Sequence, residues 1–134
     1  MRAAVVGMAM VLAACGGKDD SDDSSTPTYD VSRISMTSAT CFTFSSTCSI
    51  ILRASYSDGS SAAPSGYDLV LSAAQGTAAP KVCDASSTTA LAPTGHQYTE
   101  LPLSTTYAVR ACLFNRAAKT YSVGAETTFT TPAS

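Results

Sequence analysis

Few side chains in this sequence could carry catalytic chemistry, and His96 is the only histidine among its 134 residues. A nucleophile triad would need this histidine to be oriented by an acid and to lie beside a serine or cysteine. His96 follows Pro93-Thr94-Gly95, a turn-like context, and no Gly-x-Ser-x-Gly elbow accompanies it. We therefore interpret His96 as a solvated loop residue, and we predict that the chain is not an enzyme.

The other ionisable side chains do not assemble into a recognisable site. The carboxylates beyond residue 30 are scattered and are interpreted as exposed turn or strand-edge residues: Asp58, Asp68, Asp84, Glu100 and Glu126. Because no Cys-x-x-Cys pair exists, we predict neither a metal site nor a cofactor. Arg110, Arg116 and Lys119 could form a small basic patch, although we favour a strand-face ladder and a charged hairpin. The net charge of −2 does not indicate nucleic acid as a partner.

Cys15 is the one cysteine whose surroundings indicate a specific modification. A short positive start, Met1-Arg2, precedes an uncharged apolar run over residues 3–14 that is too short to cross a hydrocarbon core ~30 Å thick. The run ends in Leu12-Ala13-Ala14-Cys15-Gly16, which resembles the bacterial lipobox, Leu-[Ala/Ser]-[Gly/Ala]-Cys. In that family small residues let the backbone enter a protease cleft, and the cysteine thiol accepts diacylglycerol. The resemblance implies a signal peptide over residues 1–14 and a lipidated Cys15.

The lipobox resemblance also implies where the mature chain resides. Several acyl chains on Cys15 would anchor it stably, since each buried CH₂ contributes roughly 0.8 kcal/mol. Gly16 rather than Asp follows the cysteine, which in the enterobacterial pattern favours the outer membrane. We therefore expect a lipid-anchored protein of the bacterial cell envelope, with the membrane as its first partner. Its location on the periplasmic or the surface face is left open.

The segment after Cys15 has the composition of a flexible tether. Residues 16–28 are rich in Gly, Ser, Asp and Thr and cannot bury enough apolar surface to fold. As a coil, residues 15–28 would hold a folded domain roughly 20 Å from the bilayer, and at most about 45 Å when extended. Five acids fall between Lys18 and residue 30, and we assign their charge to this tether: Asp19, Asp20, Asp22, Asp23 and Asp30.

Residues 29–134 show the alternation of apolar and polar residues that is typical of β-strands. The best strands are predicted over Ser49 to Tyr56 and over Thr106 to Phe114. Weaker strand signals, separated by turn residues, lie around Val31, Ile34 and Met36, and over Tyr67 to Leu71, Lys81 to Asp84, Gln97 to Leu101 and Glu126 to Thr131. About seven short strands in one domain of this size predict an all-β fold, an immunoglobulin-like β-sandwich.

The last third of the chain permits a closer family statement. The stretch Tyr98-Thr99-Glu100-Leu101-Pro102-Leu103-Ser104-Thr105-Thr106-Tyr107-Ala108-Val109-Arg110-Ala111 resembles the fibronectin type III pattern Y-x-x-x-L-x-P-x-T-x-Y-x-V-R-A. The resemblance extends over residues 97–131 and is loose over residues 30–80. It implies that Tyr107 is the corner tyrosine, with its hydroxyl bonded to backbone, and that Leu101 closes the bottom of the core. The sequence departs from the family at Ala54, where a tryptophan is usual.

Four cysteines remain once Cys15 is set aside, an even number suited to disulfides in an oxidising compartment. Four cysteines permit three pairings. We favour Cys41–Cys48, a local clasp near the first strand connection, together with Cys83–Cys112. The second bridge is implied by resemblance to bacterial secreted fibronectin type III repeats. Since Cys112 alternates with the inward Val109, Ala111 and Leu113, we expect it to face away from the main core.

The resulting functional hypothesis is a membrane-anchored, non-enzymatic envelope lipoprotein. Its β-sandwich would bind a protein or a glycan through loops or a sheet edge, or act as a structural spacer. The alternative is an accessory subunit of a cell-envelope assembly, and a small hydrolase using His96 ranks third. The sequence does not identify the ligand.

Overall fold

A computed structural model describes residues 28–133 of the chain. The predicted signal peptide, Cys15 and all of the tether except Thr28 lie outside the described residues. Within residues 28–133 the chain forms β-strands and turns and no helix. The strands are β1 (Val31–Phe42), β2 (Thr47–Tyr56), β3 (Tyr67–Gln75), β4 (Thr88–Thr89), β5 (Gly95–Pro102), β6 (Thr106–Asn115), β7 (Thr120–Tyr121) and β8 (Ala125–Thr130).

The strands form two antiparallel sheets. The first sheet has the order β1-β2-β5. The second has the order β4-β3-β6-β7, and β8 pairs with β6 alongside β7. The all-β fold class predicted from the sequence is therefore confirmed, and the arrangement is β-sandwich-like.

The main core lies between the two sheets, and it follows from period-2 alternation. In β2 every second side chain is buried, from Cys48 through Ile50, Leu52 and Ala54 to Tyr56. The second sheet contributes the facing side chains Leu69, Leu71, Val109, Ala111, Leu113 and Phe129. Each sheet thus buries one apolar face against the other.

The family resemblance would have placed a buried tryptophan at position 54, but the large aromatic side chain in this strand is Tyr56. Ala54 is buried but small, whereas the Tyr56 ring is almost fully buried in the same strand. The Tyr56 hydroxyl donates a hydrogen bond to the carbonyl of Pro93, and burial raises the pKa of this tyrosine to about 12. The large buried aromatic side chain on this face of β2 is therefore Tyr56, two residues after Ala54.

Tyr107 and Leu101 pack at the edge of the core, but the hydrogen bond that the resemblance implied for the Tyr107 hydroxyl is not found in the described domain. Both side chains are partly buried and pack against the main core, and the Tyr107 ring stacks on Phe129 with centroids 5.6 Å apart. Within residues 28–133 the Tyr107 hydroxyl has no hydrogen-bond partner, so the implied bond to backbone is absent there. Stacking on Phe129 positions the ring instead.

A second, smaller cluster lies on the outer face of the second sheet. Val70, Cys83 and Cys112 are buried there, with Phe114 and Tyr121 packed against them. Cys112 faces away from the main core, as the alternation predicts. The Cys83–Cys112 disulfide holds the loop between β3 and β4 against this face.

Several element boundaries differ from the prediction. The predicted strand over Lys81 to Asp84 is wrong, because this stretch is irregular and is held by a disulfide rather than by a ladder. β1 extends to Phe42 because two register shifts, after Val31 and after Met36, break its alternation without ending the pairing with β2. The strands β4 and β7 have two residues each, which is too short for an alternation of apolar and polar residues to predict them.

Asp30 belongs to the folded domain rather than to the acidic tether. Its carboxylate accepts hydrogen bonds from the Ser122 hydroxyl at 2.5 Å and from the Gly124 amide at 2.9 Å. The Asp30 N–H donates to the Ser57 hydroxyl at 3.0 Å, and the Asp30 carbonyl accepts from the Ser57 N–H at 2.9 Å. The assignment of Asp30 to the tether is therefore corrected: this carboxylate fixes the start of β1 against the second sheet.

Candidate functional site

The connection between β1 and β2 forms the candidate site, which we call the hairpin tip and define as residues 42–47. Cys41 and Cys48 face each other at its base and are joined by a disulfide with a Cα–Cα distance of 4.0 Å. Phe42 pairs with Thr47, and the four residues between them form the turn. The ladder and the disulfide together hold both ends of a short, protruding loop.

Local chemistry explains why these residues turn. Ser46 has a φ of 54°, the left-handed conformation that lets the chain reverse. The Ser45 hydroxyl lies 2.7 Å from the Thr47 hydroxyl, and it also donates to the Phe42 carbonyl at 3.4 Å. These short-range bonds satisfy polar groups within the turn.

The hairpin tip exposes two aromatic side chains. Phe44 is fully exposed and Phe42 is 53 % exposed. No charged residue lies between Arg33 and Arg53, so the aromatic tip is surrounded by serine and threonine. Two exposed phenylalanines within three residues are unusual on a protein surface, where apolar side chains are normally scattered singly. Such rings are well suited to insertion into an apolar pocket or to stacking on a planar or sugar surface.

The hairpin tip lies at the far end of β1 from the start of the domain. The chain enters β1 at Val31 and reaches Phe42 after eleven further residues of extended strand. At about 3.3 Å per residue, this separates the tip from Val31 by roughly 36 Å. Any attachment through the N-terminal segment would therefore leave the tip at the opposite end of the domain.

The structure corrects the interpretation of His96. It lies on β5 opposite Leu52, partly buried, and its ring packs edge-on against Tyr98 with centroids 4.7 Å apart. Its Nδ1 atom is buried and has no hydrogen-bond partner among residues 28–133, and desolvation lowers the pKa of this histidine. His96 is thus not a solvated loop residue. Among residues 28–133 no acid hydrogen-bonds its Nδ1, the contact by which a triad base is oriented.

Several other ionisable residues make contacts within the fold. Asp58 and Asp84 are exposed turn residues, and hydrogen bonds from Ser60 and Ser86 respectively lower the pKa of each carboxyl. The possible basic patch is not a cluster of unpaired positive charges. Arg110 forms an ion pair with Glu126, and Arg116 lies 3.4 Å from Asp68. The ladder interpretation of these residues is the better description.

The part of the chain that the structure describes contains no group of three or more His, Cys, Asp or Glu side chains that could hold a metal ion. Among the same residues, no helix is long and apolar enough to cross a membrane.

Phe42 and Phe44 are the candidate site residues that sequence reasoning missed. Their signal is a Phe-x-Phe pair inside a short loop closed by Cys41 and Cys48. Recognising it requires knowing that these two cysteines pair with each other and that β1 runs without interruption from Val31 to Phe42. Neither follows from the apolar pattern alone.

Comparison of the chain with protein-family models, with curated proteins and with solved structures finds no match. The function must therefore be argued from the residues and their geometry.

Proposed function

We propose that this chain is a lipid-anchored lipoprotein of the bacterial cell envelope that presents the hairpin tip to a protein or glycan partner. It acts without catalysis. The observation that carries the proposal is the pair of exposed phenylalanines, Phe42 and Phe44, on a disulfide-braced loop at the end of the domain opposite its N-terminus.

The lipobox-like sequence around Cys15 supports the anchor. Two disulfides among the remaining four cysteines support an oxidising compartment, because such bonds persist mainly outside the cytosol. With Cys15 in the outer membrane, the tether of residues 15–28 leads to the base of β1. The hairpin tip is then directed away from the attachment point, where a partner can reach it.

The division of strands between the sheets supports a fibronectin type III-like type of sandwich. In immunoglobulin-like sandwiches the first, second and fifth strands share one sheet, and the third, sixth and seventh share the other. Here β1, β2 and β5 form the first sheet, and β3, β6 and β8 lie in the second. Tyr107 and Leu101, to which the resemblance assigns packing roles, are partly buried against the main core.

The shape of the hairpin tip supports binding rather than spacing. A spacer needs no exposed aromatic side chains, whereas aromatic residues that insert into a partner commonly dominate binding energies. Burying one phenylalanine is worth roughly 1.5–3 kcal/mol, so two of them can sustain a specific if modest affinity. The disulfide reduces the entropy that the loop loses on binding.

The test compares capture of envelope and extracellular components, and binding to an array of envelope glycans, by the full chain in its native membrane. The variant Phe42→Ser/Phe44→Ser removes both rings without touching the core. We expect it to lose the enrichment of a specific protein or glycan by at least about tenfold, as for a binding hot spot.

A matched control is Val82→Ser/Leu91→Ser, which removes two other strongly exposed apolar side chains elsewhere on the domain. It should bind like the unmodified chain. The proposal is wrong if the phenylalanine variant captures the same components, or if both variants lose them equally.

A further inference from the structure

We propose that a second copy of this chain pairs with the distal half of β1, residues 38–42, as an added antiparallel strand. This inference concerns the edge of β1, which adjoins the hairpin tip and shares Phe42 with it, and it goes beyond the proposed function. It rests on the backbone of an unprotected sheet edge and on the self-complementary register of these five residues.

β1 is an edge strand of the first sheet. It pairs with β2 on one side only. Beyond the register shift at Thr37, residues 38–42 form an unbroken ladder with residues 47–51. In an antiparallel ladder, closely spaced residue pairs turn their N–H and C=O groups away from each other. The 4.0 Å Cα–Cα distance of Cys41 and Cys48 marks such a pair, so the polar backbone groups of Cys41, and of Ala39 two residues earlier, point outward from the sheet.

These outward groups have no other backbone partner within residues 28–133. Ser38, Ala39 and Thr40 are all exposed, so no loop of the described domain covers this edge. The edge therefore presents a row of free donors and acceptors, which is the feature that recruits a further strand.

The other edges among the described strands carry the devices that prevent strand addition. β5 has Glu100 in the left-handed conformation, a register shift and Pro102. β4 and β7 are two residues long, and β8 carries Glu126. From Ile34 to Phe42, by contrast, β1 contains neither a charge nor a proline, and beyond its own register shift at Thr37 the strand runs without a break to Phe42. Proteins normally blunt a long edge with such residues, so their absence here singles out this edge for pairing.

A second copy fits this edge because the segment matches itself. Antiparallel pairing with a two-fold axis at Thr40 places Thr40 opposite Thr40 and Ser38 opposite Phe42. The backbone groups of Ala39 then pair with those of the second copy's Cys41, and the reverse. No charged residues oppose each other, and the two three-stranded sheets become one six-stranded sheet. The Cys41–Cys48 disulfide ties the end of this edge to β2, which lowers the cost of ordering it.

The pairing is small and is expected to be weak in dilute solution. Stable interfaces bury about 1,200–2,000 Å² in total, and a ladder of five residues per strand lies below that range. Confinement in one membrane, which rests on the proposed function, would raise the local concentration. The antiparallel arrangement separates the two Val31 residues by roughly 60 Å. Tethers of up to about 45 Å allow both copies to reach the same bilayer, with their strands lying along it.

The first test is a crosslink in membranes with the full chain carrying Thr40→Cys. In the paired state the two introduced thiols face each other across a closely spaced pair, within the range that a disulfide spans. We expect a covalent dimer that reductant dissolves. Thr99→Cys, an exposed threonine on β5 at the other edge, should give at least about tenfold less dimer because its thiols do not meet. The unmodified chain controls for crosslinks through native cysteines.

The second test needs no new cysteine. Thr40→Lys places like charges opposite each other on the two-fold axis without altering the domain, since Thr40 is exposed. Sedimentation of the detergent-solubilised full chain should show a concentration-dependent dimer that Thr40→Lys abolishes and Thr99→Lys retains. Equal crosslinking at positions 40 and 99, an adduct of Thr40→Cys with a different protein, or a dimer that survives Thr40→Lys would overturn the inference. Dimers that persist when Cys15 proves free of lipid would overturn the anchor alone.

Discussion

The two disulfides of this domain lie in regions that use the same bond differently. Cys41–Cys48 closes a separation of 7 residues at the end of a regular hairpin, where Cys48 is buried but the neighbouring β1 side chains Thr40 and Phe42 are exposed. Cys83–Cys112 closes a separation of 29 residues and is buried in the second cluster. The first braces a surface that points into solvent, whereas the second attaches an irregular loop to a sheet.

The difference follows from what else holds each region. The hairpin has its own backbone ladder, so it would keep most of its shape without the bridge. The loop between β3 and β4 has little regular structure, and side chains hold it in place. Arg110 donates through Nε to the Pro80 carbonyl at 2.6 Å and through a terminal nitrogen to the Val123 carbonyl at 2.8 Å. A disulfide contributes most where other constraints are fewest.

The largest stability loss is expected for Cys83→Ser/Cys112→Ser. Opening this loop removes about 3.5 kcal/mol in the chain-entropy model, and it also exposes the cluster beneath. Chemical denaturation of the variant and the unmodified chain measures the difference in the free energy of unfolding. A loss of less than about 1 kcal/mol would show that the cluster holds the loop without the bond.

A smaller loss is expected for Cys41→Ser/Cys48→Ser. The shorter loop accounts for at most about 2.5 kcal/mol of stabilisation in the same model, and the β1–β2 ladder remains. Amide hydrogen exchange should nevertheless accelerate at the hairpin tip and hardly change in the β3–β4 loop. If exchange accelerates throughout both sheets, the hairpin bridge is a global brace and the contrast between the two disulfides fails.

Arg110→Met tests the second region without altering a disulfide. It removes the bonds to Pro80 and Val123 and the pairing with Glu126, and we expect a loss of about 2 kcal/mol because hydrogen bonds from a charged donor are strong. The matched control is Arg53→Met on β2, whose exposed side chain should change stability by less than about 0.5 kcal/mol. Equal losses in the two variants would contradict the assignment.

The smallest effect expected is a pH dependence from His96, next to the hairpin on β5. Because burial lowers the pKa of this histidine, the unfolded chain binds a proton more readily than the folded chain. Stability should therefore fall as the pH drops below the unfolded pKa of about 6.5. Thermal melts between pH 7.5 and 5.5 should show a slightly shallower decline for His96→Gln. An identical slope would show that His96 is freely protonated in the folded state.

The strands that could be predicted are those whose alternation is undisturbed. Thr106 to Phe114 and Ser49 to Tyr56 show one apolar side chain in every two, and the structure extends them by only one or two residues as β6 and β2. In β1 the register shifts space Val31, Ile34 and Met36 unevenly, which hides a strand of twelve residues. Near Cys83 the apolar residues mimic a strand, although only Cys83 is buried in the second cluster and Val82 is exposed.

The candidate site was harder to predict than the fold, because its contacts are distant in sequence or absent. Asp30 was grouped with the tether by its charge, yet its partners Ser122 and Gly124 lie more than ninety residues away. Phe42 and Phe44 resemble ordinary core residues in a sequence. The sequence already favoured the Cys41–Cys48 bridge, but only the structure shows that the two rings above it are exposed.

The most direct test of the account is the intact mass of the protein isolated from its native membranes. We predict a chain that begins at Cys15, carries acyl groups there, and has lost four hydrogens to the bridges Cys41–Cys48 and Cys83–Cys112. A chain that retains Met1 without lipid, or one whose four other cysteines are reduced, would contradict it.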